Sequence, residues 1–163
     1  MKKARLDKID INILKKLQGE GRITNVELAK SVGMSAPPCL RRVRALEDAG
    51  YIKGYNASIN AQMMGYGVTI FAMVKLKSQL DKDLEEFEKH VSKMPMVREC
   101  FLLAGDVDFI LKVVAKDWDT YNLKFRKELS EAPHVVSIKS SLSVRESKNL
   151  PGIPIGIAAQ RTA

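Results

Sequence analysis

Histidine and cysteine are scarce, two of each in 163 residues. Cys39 and Cys100 lie far apart and form no C-x-x-C pair, the pattern of a reduced, cytosolic protein. His90 falls on the polar flank of an expected helix and His134 just before an expected strand. Neither has metal-ligand spacing or a candidate nucleophile beside it, so no metal, cofactor or enzymatic activity is expected. No apolar run approaches the ~20 residues of a spanning helix. No apolar segment follows Met1-Lys2-Lys3, so no secretory signal is expected. A G-x-x-x-x-G-K-S/T phosphate loop is also missing. What remains is an ordinary globular balance, 45% hydrophobic and 28% charged.

The net charge is +8, and its placement is uneven. Residues 1–55 carry twelve Lys/Arg against six Asp/Glu, while residues 56–163 carry fifteen against thirteen. A basic segment joined to a near-neutral one is the footprint of a polyanion-binding module. A merely solubilising surface has the same footprint on charge alone.

Three helices are expected in the basic third. Leu6, Ile9, Ile13, Leu14 and Leu17 recur at helical spacing behind Asp7, a good N-cap. Thr24-Asn25-Val26-Glu27 has capping-box spacing and opens a second helix with Leu28, Ala29 and Val32 inside. Gly33 ends it, and only Met34 separates that glycine from the next cap, Ser35. The third helix runs to Ala49, with Pro37 and Pro38 in its first turn, where proline is tolerated. Cys39, Leu40, Val43 and Leu46 are expected beneath, Arg41 and Arg44 opposite, and Arg42 on the flank. Two helices joined by a tight glycine turn, the second with a basic outer face, read as a helix-turn-helix. Its candidate DNA contacts are Ser35, Ala36, Pro37, Pro38, Arg41, Arg42 and Arg44. Lys2, Lys3 and Arg5 form either a phosphate-touching arm or a frayed tail. Tyr51–Asn56 reads as a short strand or wing, and residues 56–67 as a linker.

Residues 68–147 follow an alternating pattern. Val68, Ile70, Ala72, Val74 and Leu76 give a first strand. Leu80, Leu84, Phe87, Val91 and Met94 give a helix. Val97–Leu103 and Phe109–Val114 form a hairpin across Gly105-Asp106-Val107-Asp108. Trp118, Tyr121, Phe125 and Leu129 mark a second helix, and Val136–Val144 a fourth strand. The order βαββαβ makes the chain α+β, a helix-turn-helix followed by a ferredoxin-like unit. Both helices then cover one sheet face. The other face, with Thr69, Phe71, Met73, Cys100, Leu102, Ile110 and Val114, is expected to pack against a second copy.

Over residues 5–147 the chain resembles the Lrp/AsnC, or feast/famine, family of transcription regulators. The resemblance is carried by Leu6-Asp7 with Asp10, Asn25-Val26-Glu27-Leu28-Ala29, Arg42-Val43, Leu46-Glu47 and Gly50-Tyr51-Ile52-Lys53-Gly54-Tyr55. It continues in Val97-Arg98-Glu99-Cys100, Gly105-Asp106-Val107-Asp108-Phe109 and Leu111-Lys112-Val113. The resemblance implies binding of double-stranded DNA, dimers assembling to an octamer, and control by an amino acid or related metabolite. It places the protein in the cytoplasm, on the nucleoid. It also puts the effector between subunits at Gly105, Asp106, Val107 and Asp108, where Val107 replaces an aromatic usual in the family. Turn amides suit a carboxylate, and an aspartate suits an α-ammonium group. Gly-Asp also makes turns unaided. In the tail, residues 148–163, Pro151-Gly152-Ile153-Pro154-Ile155-Gly156 has no strong counterpart in the family and is either an ordered extension against a partner chain or disordered.

RNA-recognition modules share the βαββαβ order, but their K/R-G-F/Y-G/A-F-V signature is absent. An architectural DNA-binding protein with little effector response fits the basic excess and remains the alternative.

Overall fold

The computed structural model describes residues 6–155. The chain divides into two compact units, one drawn from both chain ends and one spanning Ile59–Ser147.

In the first unit, α1 (Lys8–Gly19), α2 (Asn25–Ser31) and α3 (Ala36–Asp48) surround a core of Ile13, Leu28, Ala29, Cys39, Val43 and Leu46. Each of the first two helices starts on a reciprocal cap. The Asp7 carboxylate accepts from the Asp10 N–H at 2.8 Å while Asp10 accepts from the Asp7 N–H at 3.1 Å. Thr24 and Glu27 do the same for α2. Gly33, at φ 74°, lets the Met34 N–H reach back to the Ala29 carbonyl and close α2. Leu40, expected in the core, is instead 37% exposed, because its position falls at the margin of the buried arc of α3. The expected strand over Tyr51–Asn56 does not form. Extended chain becomes a strand only with a ladder partner, and among the described residues none lies beside it. Tyr55 instead anchors that segment to α3, its hydroxyl donating to Glu47 at 2.8 Å.

The end of the chain completes this unit. The Gln18 side-chain amide donates to the Ile153 carbonyl at 2.8 Å and accepts from the Ile153 N–H at 3.0 Å. Gly152, at φ 70°, sits so close that a Cβ there would overlap the Gln18 side chain. The stretch up to Ile155 is therefore an ordered extension, held on α1 of its own chain.

The second unit is a four-stranded antiparallel sheet in the order β2-β3-β1-β4, built from β1 (Val68–Leu76), β2 (Val97–Leu102), β3 (Phe109–Ala115) and β4 (Val135–Leu142). Between β1 and β2 lies α4 (Asp81–Val91), and a π-helical segment, Thr120–Phe125, runs into α5 (Arg126–Ser130). The sequence predicts an ordinary helix here. The wider turn instead sets the Tyr121 hydroxyl against Ser140 of β4. Ile70, Ala72, Val74 and Leu76 of β1 join Phe109, Leu111, Val113 and Ala115 of β3 under Phe87, Val91, Tyr121, Phe125 and Leu129. The Phe87 and Phe109 rings lie 4.7 Å apart.

The opposite sheet face differs from the expected one at two positions. A bulge between Val97 and Glu99 shifts the pairing, so Cys100 stands opposite Leu111 and Leu102 opposite Phe109. Both therefore point to the side of the sheet that carries the helices, where they stay exposed on the edge strand, since one extra residue flips every following side chain. Burial, and after it the Glu88 carboxylate of α4, push the Cys100 thiol up to about 11. Phe101 takes the place on the open face, 55% exposed, beside Thr69, Phe71, Met73, Ile110 and Val114. The Lys112–Glu99 ion pair, at 2.9 Å, lies among them.

Candidate nucleic-acid interface and effector turn

The DNA-facing candidates fall on the outer side of α3. Ser35 caps the helix in an extended conformation, with its hydroxyl making no capping bond, and Pro37 and Pro38 occupy the first turn. The Asn25 side chain donates to the Ala36 carbonyl at 3.0 Å and so fixes the start of α3 against α2. Arg41 and Arg44 are exposed, and no salt bridge holds either one among the described residues. Ser35 and Pro37 are exposed, and Ala36 and Pro38 are half-buried. Cys39, Val43 and Leu46 anchor the underside, so the helix cannot roll without opening the core.

Arg42 is placed differently from its two neighbours. One of its guanidinium nitrogens lies 2.7 Å from both Asp7 and Asp10, turned to the start of α1. It joins α1 to α3 and leaves the outer face to Arg41 and Arg44. The Asp10 backbone N–H, helped by Arg42, holds the Asp7 carboxyl below its usual range. A carboxyl depressed by folding adds stability that is complete above about pH 4 and is lost as pH falls through its folded value. Asp7→Asn, which keeps an N-cap but removes the charge, is expected to flatten the acid side of the stability profile. Denaturant midpoints taken from neutral to acid pH would show this, and an unchanged profile would place the acid sensitivity elsewhere. Lys2, Lys3 and Arg5 lie outside the described residues.

The β2–β3 turn brings the other candidates together. The Leu103 N–H donates to the Asp108 carbonyl at 2.8 Å, which closes the turn. Gly105 and Asp106 are exposed at its tip, with open space around Gly105, and Val107 is half-buried. Asp108 is not at the tip: it is 3% exposed. One of its carboxylate oxygens accepts from the Leu76 N–H at 2.7 Å and the other from the Gln79 side chain at 2.7 Å. Its own N–H donates to the Val74 carbonyl at 3.0 Å. Asp108 thus ties the turn to the end of β1. The sequence pattern missed Leu76 and Gln79 as its partners, because they sit about thirty residues away and carry no local signal.

A helix-turn-helix with an outward basic helix, joined to a βαββαβ unit with an exposed Gly-Asp turn, defines a DNA-binding regulator with a separate sensory unit. Comparison with known proteins agrees. Residues 6–53 match the winged helix-turn-helix DNA-binding family, and residues 69–153 match the Lrp/AsnC ligand binding domain. The chain is 46% identical over 144 residues to a leucine-responsive regulatory protein of Rhizobium meliloti, covering 88% of this chain and 92% of the relative. It is 38% identical over 142 residues to the Bkd operon transcriptional regulator of Pseudomonas aeruginosa, covering 87% and 93%. A transcriptional regulator of Neisseria meningitidis, crystallised as a complex with L-Met, superimposes with a TM-score of 0.87 at 35% identity, covering 93% of this chain and 97% of that one. The chain belongs to the Lrp/AsnC family of transcriptional regulators. No helix among the described residues is long and apolar enough to cross a membrane.

Proposed function

We propose that this regulator reads operator DNA through Ser35, Ala36, Pro37, Pro38, Arg41 and Arg44, with α3 in the major groove. The observation that carries this reading is the pair of outward guanidinium groups on a helix whose underside is core. Guanidinium forks suit guanine edges and phosphates alike. The free Ser35 hydroxyl suits a phosphate oxygen. Arg42 acts from within, by fixing α3 on α1.

The effector is an amino acid, held at the Gly105-Asp106-Val107 turn. The ligand-binding family match and the L-Met complex of the Neisseria relative support this class. Backbone amides at the open Gly105 suit the carboxylate, and exposed Asp106 suits the ammonium group. Asp108 shapes the turn from behind. Chains associate through the open apolar sheet face into dimers, and dimers into an octamer. The protein acts in the cytoplasm on nucleoid DNA.

Gel shifts and calorimetric titrations with an amino-acid panel, L-Met included, test the sensory half. Asp106→Ala is expected to abolish the amino-acid response and leave basal DNA binding intact. Asp108→Ala strips the Leu76 N–H of its buried acceptor and is expected to lower stability by about 1–3 kcal/mol. Unchanged titrations in Asp106→Ala would overturn the site. Broad footprints with no response to any amino acid would favour the architectural reading.

A further inference from the structure

His134 is the non-glycine residue with positive φ among the described residues, at 66°. Its carbonyl accepts from the Lys77 N–H at 2.8 Å, which pins the turn entering β4. Held this way, the ring faces α4. Its Nε2 lies 2.9 Å from the Glu86 carboxylate and 3.5 Å from that of Asp83. Asp83 and Glu86 are three residues apart and share one face of α4. One ligand atom from each of the three residues lies within 4.8 Å of the others. Sequence spacing conceals this cluster, because forty-eight residues separate Glu86 from His134.

We propose that Asp83, Glu86 and His134 form a divalent transition-metal site of the zinc class, one ion per chain, with a fourth position open to water. One imidazole and two carboxylates are a zinc ligand set. Zinc–ligand bonds of about 2.0–2.1 Å in tetrahedral array separate neighbouring ligand atoms by about 3.3 Å. The two distances from His134 bracket that value. An imidazole donor selects zinc over magnesium, which prefers oxygen alone. Asp83 and His134 are mostly covered while Glu86 is more open, so an ion has an entry path. The Lys82 ammonium, 3.8 Å from Glu86, sits on a largely exposed side chain that can swing away. His134 Nδ1 is buried and meets no hydrogen-bond partner among the described residues. A bound ion would clasp the helix after β1 to the turn before β4.

The test titrates the intact, chelator-stripped protein with ZnCl2 and separately with MgCl2 by calorimetry. One Zn2+ per chain and no saturable Mg2+ binding are expected. Glu86→Gln removes one ligand charge. His134→Asn keeps a residue that tolerates positive φ. Each is expected to weaken Zn2+ by more than about tenfold, while circular dichroism stays that of the parent. Cys100→Ser, which removes the exposed thiol, is expected to bind as the parent does. Co2+ should give visible ligand-field bands in the parent that vanish in His134→Asn. Absence of saturable Zn2+ binding, or parental affinity in both ligand variants, would overturn the proposal, as would loss confined to Cys100→Ser.

Discussion

Alanine at both Arg41 and Arg44 is expected to weaken operator binding by about 2–6 kcal/mol, about 1–3 for each lost fork. Both side chains are exposed and hold no salt bridge within the described residues, so the variant should keep its fold. Surface changes of this kind usually stay within about 0.5 kcal/mol of stability. Gel shifts at several salt concentrations separate the two modes of contact. A lost phosphate contact lowers the log–log salt slope by about 1, whereas a lost base contact relaxes specificity at one base pair. Parental affinity at every salt concentration would remove α3 from the interface. Arg42→Ala makes the contrast: its loss acts on the α1–α3 junction, because its guanidinium is already shared by Asp7 and Asp10.

The largest effect on stability is expected at Phe87. Its side chain is fully buried, and its ring packs 4.7 Å from that of Phe109 between α4 and the sheet. Phe87→Ala removes that packing and leaves a cavity, with a loss of about 3–5 kcal/mol. Denaturant unfolding followed by circular dichroism would report it as a lower midpoint. A shift below about 1 kcal/mol would mean that the site collapses to fill the space. The β2–β3 turn should loosen in the same variant, because Asp108 precedes Phe109 of β3 and accepts from Leu76 at the end of β1, and both strands pack on Phe87.

Much of this architecture was legible in local sequence. Asp7 with Asp10 and Thr24 with Glu27 announce helix starts, and both pairs form reciprocal caps. The alternation of Ile70, Ala72, Val74 and Leu76 gives the correct face for β1, and the order βαββαβ follows from the element sequence. What could not be read depends on partners distant in the chain. Nothing around Arg98 announces a bulge, yet that one residue exchanges Cys100 and Leu102 for Phe101 on the open face. The periodic Trp118, Tyr121, Phe125 and Leu129 predict an α-helix, and contacts with β4 accompany a π turn. The exposure of Arg41 and Arg44 on the outer side of α3 is legible in the sequence, since helical geometry alone decides that. The engagements of Arg42 and Asp108 needed the third dimension. Each is a charged residue consumed by a neighbour that only folding supplies.

The clasp between Gln18 and Ile153 also bears on how the protein is made. The ribosome releases the helices of the first unit long before it reaches residue 153, so α1 meets this partner only after the whole second unit has been made. A chain cut short after β4 would keep all three helices and leave the Gln18 amide facing water. A bulkier residue at Gly152 would press on the same spot, because a Cβ there already overlaps the Gln18 side chain.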